Sequence, residues 1–217
     1  MKVIKGNKEL DIDKKDLENI LSKYKKVVID IGTGDGRFVY KKALENKNVF
    51  YIGIDPSAKQ LNKFSKKAVR KKLNNILFVI GSIELLPYEL KNTADKIYVI
   101  FPWGSLLKSV TRVNSSTLLD IKSLLKLKGE IEIVFGYDKT LEPSETERLD
   151  LPPLTKDYLK NILIPAFEKN NFQLKEIKEI ETQDMKNIQS TWAKKLSFTK
   201  SRLVYRLIFK YVFQNNP

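Results

Sequence analysis

The apolar residues of this chain fall into two kinds of run. Short blocks dense in β-branched and aromatic residues read as strands: Val27 to Ile31, Val49 to Ile54, Ile76 to Ile80, Ile97 to Phe101 and Glu130 to Phe135. Between them, apolar positions recur at helical spacing. Leu17, Ile20 and Leu21 share one face of a helix over 13–21, and Arg37 to Leu44 reads as a second. Ser57 is a natural N-cap for a helix that turns Leu61 and Phe64 inward. Further helices are expected over 114–126, over 155–170 with Leu159, Leu163 and Phe167 on one face, and over 183–195. Residues 3–12 alternate around Gly6-Asn7, the signature of a tight hairpin. Phe172 to Ile177 alternates as a half-exposed strand, and Arg202 to Phe213 reads as the last strand. The segment 137–154 is polar, acidic and proline-bearing, which predicts a long linker or small lid. Strands separated by helices imply an α/β fold, a mainly parallel sheet with helices on both faces and an antiparallel closing edge. One domain over 1–217 is expected, with 1–12 as its hairpin.

The first core strand runs into Asp30-Ile31-Gly32-Thr33-Gly34-Asp35-Gly36-Arg37. Strand, glycine turn and helix open a nucleotide-binding α/β unit, because glycine takes positive φ and lets a ligand approach the backbone. The spacing is Gly-x-Gly-x-Gly, not the Gly-x-Gly-x-x-Gly of dinucleotide folds, which speaks against an oxidoreductase. The second strand ends in Asp55, 19 residues after Gly36, about where such folds place a ribose-binding carboxylate. Together they point to an adenosyl ligand without a pyrophosphate, such as S-adenosylmethionine. Ligands of open α/β sheets bind at the carboxyl ends of the strands. Asp30, Gly32, Thr33 and Gly34 gather there with Asp55 and Pro56, then Ser82, Ile83 and Glu84, then the loop Phe101-Pro102-Trp103-Gly104-Ser105. Glu84 either accepts a hydrogen bond from an adenine amino group or caps the next helix. Trp103, in a loop at the cleft mouth, suits a stacking platform better than core filler. Trp192 is either a core residue beside Ile188 or the second half of a clamp on a flipped base.

Charge changes the picture further. The net charge is +14, which favours a polyanionic partner. Seven basic residues, Lys59 to Lys72, fall within 14 positions without an acid, and seven more lie between Met185 and Pro217, again without one. One such run is usually a solvated face; two point to phosphate contact and to RNA whose bases can be everted. The chain has no cysteine and no histidine, which removes disulfides, thiol nucleophiles, most zinc sites and imidazole acid–base chemistry. No carboxylate cluster suggests a metal. No stretch of about 18 apolar residues occurs and the N-terminus lacks a signal-peptide core, so a cytoplasmic location without membrane contact is expected.

The segments Asp30 to Arg37, Phe50 to Pro56, Leu86 to Asn92, Phe101-Pro102-Trp103-Gly104 and Trp192-Ala193-Lys194-Lys195-Leu196 resemble those of the aminoglycoside-resistance 16S rRNA methyltransferases that act on N1 of adenine 1408. The likeness runs from about residue 2 to residue 206. It implies a seven-stranded class I S-adenosylmethionine-dependent methyltransferase fold with an N-terminal β-hairpin. It implies a donor pocket lined by Asp30, Gly32, Asp55, Glu84, Ser105 and Ser190, with S-adenosylhomocysteine as product and no metal. It implies that Trp103 and Trp192 sandwich the everted adenine. Lys66, Lys67, Arg70 and Lys71 would dock on rRNA, and Arg202 would hold the distorted backbone. Lys195 and Lys200 stand at further basic positions of the family; lysine lacks arginine's bidentate fork. Arg148 is a candidate contact in the poorly matching 137–154 segment. The partner would be 16S rRNA in the 30S subunit, met by a monomer with no obligate protein partner. Adenine N1 carries a free lone pair, so methyl transfer needs no general base, which suits a chain without His or Cys. A tRNA guanine-N7 methyltransferase is the nearest enzymatic rival, but its expected acid in the Phe-Pro motif is absent. A non-catalytic RNA-binding module is the rival outside enzymes.

Overall fold

The computed structural model describes residues 1–113, 115–181, 184–188 and 203–213. Nine strands form one sheet in the order β2-β1-β5-β4-β3-β6-β7-β9-β8. Its parallel centre is β3 (Lys26–Ile31), β4 (Val49–Asp55), β5 (Ile76–Ile80), β6 (Ala94–Ile100) and β7 (Leu125–Phe135). β1 (Lys2–Lys5) pairs antiparallel with β2 (Lys8–Asp11) across Gly6-Asn7 and with β5. At the other edge β9 (Val204–Tyr211) runs antiparallel to both β7 and β8 (Phe172–Ile180). The resemblance implies seven strands; the sheet holds nine because β1 and β2 join it edge-on through Val3 and Ile4, which pair with Val79 and Phe78.

One face of the sheet carries α2 (Arg37–Glu45) and α3 (Ala58–Arg70), which bury Val39, Ala43, Leu61 and Phe64 against Tyr51 and Phe78. Ser57 caps α3, its hydroxyl accepting from the Gln60 N–H. The other face carries α1 (Lys14–Leu21), α4 (Gly104–Arg112), α5 (Ser115–Leu124) and the helices after residue 142. The sequence does not announce α4, because Pro102 and Gly104 punctuate its start; Leu106, Leu107, Val110 and Thr111 nevertheless form a buried helical stripe. α5 is shorter than expected, since β7 begins at Leu125.

The segment 137–154, expected as a long linker or small lid, is partly helical and partly buried. It carries α6 (Pro143–Arg148) and buries Tyr137, Thr146, Leu149, Leu151 and Leu154. The Tyr137 hydroxyl donates to the Pro152 carbonyl at 2.7 Å, and Arg112 of α4 bonds Asp150. Thr155 then caps α7 (Lys156–Tyr158), which runs through a π-helical turn (Leu159–Leu163) into α8 (Ile164–Lys169). Of the helix expected over 183–195, the described part is a 3-10 turn (Asp184–Asn187). Among the described residues no helix is long and apolar enough to cross a membrane.

Candidate active site

The carboxyl ends of β3, β4, β5 and β6 surround one cleft of about 570 Å³. Every cosubstrate residue proposed from the sequence and described in the structure lines it: Asp30, Gly32, Thr33, Gly34, Asp55, Pro56, Ser82, Ile83, Glu84 and Ser105, with Trp103 beside them. Ser190, Trp192, Lys195, Lys200 and Arg202 lie outside the described residues.

The glycine turn is tied to the neighbouring strand. The N–H groups of Gly32 and Thr33 both donate to the Ile54 carbonyl at 2.9 Å. Gly36, at φ +77°, starts α2, and a Cβ there would meet the Phe78 ring at 2.3 Å. Gly32, at φ +75°, would drive a Cβ to 2.6 Å from Leu106 of α4. Both positions therefore require glycine on conformational and steric grounds. Asp55 closes the turn from the far side, accepting from the Gly34 N–H and the Ser57 N–H, each at 2.9 Å. Burial lifts its carboxyl above the usual value, and these two N–H groups pull it back.

Asp30 is 3% exposed. Burial pushes its carboxyl up to about 7, opposed by the Thr33 side chain and reinforced by the charge of Asp55. Two acids on one wall suit a ligand carrying a hydroxyl pair and a positive centre. The basic side chain among the described cleft residues, Arg37, lies 4.0 Å from the Asp35 carboxylate. Glu84 is exposed, and the Ser105 and Ser82 hydroxyls nearby hold it below the ordinary carboxylate value. It does not cap the following 3-10 turn (Tyr88–Leu90), whose N-cap is Pro87.

Trp103 is not a mid-loop residue but the N-cap of α4, and it is 46% exposed at the cleft, too open for core filler. The turn that presents it is strained. Phe101, buried, sits at φ +48°, an uncommon conformation for a bulky side chain, and its N–H donates to the Val134 carbonyl at 2.7 Å. Gln60, Arg37, Phe38 and Leu106 also line the cleft and are not among the residues the sequence singles out. Gln60 is recoverable from the sequence, since Ser57 caps its helix; Leu106 is not, because α4 itself is hidden.

Lys66, Lys67, Arg70 and Lys71 are all exposed on or just after α3, and none lines the cleft. Lys67 Nζ lies 4.6 Å from the Phe64 ring centroid. Lys63, from the same run, pairs with Asp35 at 3.1 Å. Arg206, from the second run, is committed to acids: its Nε lies 2.7 Å from Glu132 and its Nη1 3.0 Å from Glu176. Arg148 is forked onto Glu145. Among the described residues no group of three acids, histidines or cysteines could hold a metal ion.

The sequence matches the family described as NpmA: 16S rRNA (adenine(1408)-N(1))-methyltransferase over residues 2–210. A 16S rRNA (adenine(1408)-N(1))-methyltransferase of Escherichia coli is 39% identical over 212 residues, spanning 95% of this chain and 97% of that one. The crystal structure of a 30S ribosomal A1408 methyltransferase from an uncultured bacterium shares 45% identity at TM-score 0.78, covering 98% of this chain and 100% of that one. The crystal structure of the aminoglycoside resistance methyltransferase NpmB1 shares 37% identity at TM-score 0.82, covering 97% and 99%.

Proposed function

The chain belongs to the 16S rRNA (adenine(1408)-N(1))-methyltransferase family, and on that premise we propose that it methylates N1 of adenine 1408 in the 16S rRNA of the 30S subunit and thereby confers aminoglycoside resistance. The observation that carries the reading is one cleft that joins two buried acids and a glycine turn to an exposed tryptophan. The nine-stranded sheet is read as the seven-stranded class I methyltransferase sheet extended by the β1–β2 ribbon.

S-adenosylmethionine supplies an electrophilic methyl on a sulfonium. Asp55 would take the ribose hydroxyls with the lone pairs left over from Gly34 and Ser57, Asp30 would face the positive part of the donor, and Gly32, Thr33, Gly34 and Pro56 would give close backbone contact. Ser82, Ile83, Glu84 and Ser105 would border the adenine ring, with Ser190 completing the pocket. Adenine N1 attacks with its in-plane lone pair; the N–C bond forms as the C–S bond breaks, and no proton has to leave. The protein's task is then positioning and exclusion of water. Trp103, with Trp192, would hold the target base between two ring faces, which also favour a base that becomes cationic. A guanine-N7 reading lacks its expected acid in Phe101-Pro102-Trp103-Gly104. We place the activity in the cytoplasm and in a monomer.

Purified 30S subunits treated with labelled donor should gain label that primer extension maps to adenine 1408. Label on tRNA alone would overturn the assignment, and binding of donor without transfer to any RNA would leave a non-catalytic module.

A further inference from the structure

Two lysines face each other at the tip of the N-terminal ribbon. Lys5 of β1 is the register partner of Lys8 of β2, both exposed. Like charges directly opposite on a strand pair are destabilising, and among the described residues neither makes an ion pair. The same ribbon makes a complementary pair elsewhere, Lys2 with Glu9 at 2.9 Å, so acids occur on this ribbon and are absent at its tip.

The tip is also fixed in place. The Gly6 N–H donates to Ser65 Oγ of α3 at 2.7 Å, and that hydroxyl donates to the Ile4 carbonyl at 2.9 Å. Ser65 is buried. Gly6 lies close enough to Val69 that a Cβ would touch it at 3.8 Å. The hairpin tip is thus bolted to the turn of α3 flanked by Lys66 and Arg70, and the chain carries no acid between Asp55 and Glu84.

We propose that Lys5 and Lys8 extend the basic face of α3 into one rigid surface that docks on the phosphate backbone of the ribosomal RNA. This rests on the rRNA reading above and adds a second element to its docking face. Phosphates between the two lysines relieve their repulsion, and the Ser65 latch fixes their spacing to the α3 cations before the RNA arrives.

The test is equilibrium binding of full-length protein to purified 30S subunits across a salt series. Lys5→Ala with Lys8→Ala should weaken binding and flatten the log–log salt slope by about 2, roughly one for each phosphate no longer neutralised. Thermal stability should hold or rise, since a repulsive pair is removed, and donor binding should not change. A control pair, Lys160→Ala with Lys169→Ala on the helical segment after Thr155, removes equal charge elsewhere and should leave the slope as it was. A wild-type slope in the hairpin variant, or an equal loss in the control, overturns the proposal. Wild-type protein that binds 30S subunits but fails to methylate them would count against the enzymatic reading alone.

Discussion

One proton on the buried Asp30 ties the stability of the fold to pH. Its folded carboxyl titrates near 7 against 3.8 for the ordinary side chain. The fold therefore favours the protonated form. That contribution is complete below pH 3.8 and is lost as pH rises through about 7, at a cost of roughly 4 kcal/mol. Asp30→Asn should consequently raise the melting temperature of the ligand-free protein, more at pH 8 than at pH 5, while weakening S-adenosylmethionine. In the wild type, donor affinity should climb between about pH 6 and pH 8 as the acid ionises opposite a cation. Calorimetry and thermal melts across that range check both; a pH-independent affinity would remove Asp30 from the cation's neighbourhood. Trp103 makes a separate claim. Stacking is worth about 1–3 kcal/mol per base by alanine substitution, so Trp103→Ala should lose most methyl transfer and Trp103→Phe keep part of it. Donor affinity and 30S binding should survive both changes, and unimpaired transfer by a folded Trp103→Ala protein would return the ring to a structural role.

Across β6, β7 and β9 the sheet face carries an ion triad, in a groove that Phe38 and Lys42 of α2 also line. Lys96 Nζ lies 2.7 Å from Glu132 Oε2, and Arg206 Nε 2.7 Å from Oε1. Burial alone would raise Glu132, but Arg206 and Lys96 outweigh it and hold the carboxylate below its usual value. Glu132→Gln would take the paired acid from Lys96 and leave Arg206 with Glu176 alone, at the strand that follows the Trp192 segment. The expected loss is somewhat under the roughly 3–5 kcal/mol of a fully buried pair, since both cations are partly exposed, and a denaturant midpoint measures it. A shift within error would mean that the triad adds nothing to the edge. The sequence could not announce this pairing, because the three residues are 36 and 74 positions apart in their bonds to Glu132. What was legible is what local chemistry dictates: Asp30 and Asp55 at strand ends, glycines where φ turns positive, and Ser57 as a cap. Elements failed where local signals mislead. Pro102 and Gly104 hid α4, and Pro152-Pro153 with the acids of α6 masked the buried Leu149, Leu151 and Leu154.

On the proposed reading, the molecule separates grip from chemistry. Ser57 and Gln60 line the cleft at the start of α3, a helix of 13 residues in all, about 20 Å from end to end. Lys66, Lys67, Arg70 and Lys71 therefore lie toward the end remote from the cleft, next to the hairpin tip. The net charge of +14 repels itself within the chain and favours a polyanionic partner. Reversing all four to Glu should abolish 30S binding at moderate salt while donor affinity stays near wild type; the melting temperature should fall modestly, because acids replace cations at the C-terminal turn of α3. Single Ala changes should each cost little and flatten the salt slope by about 1. The two readouts decide the architecture. Loss of binding with intact donor affinity locates docking on α3, distant from the cleft. Loss of both would mean that the helix carries the donor pocket with it and that grip and chemistry are one site. Unchanged binding would reduce the run to a solvated helix face.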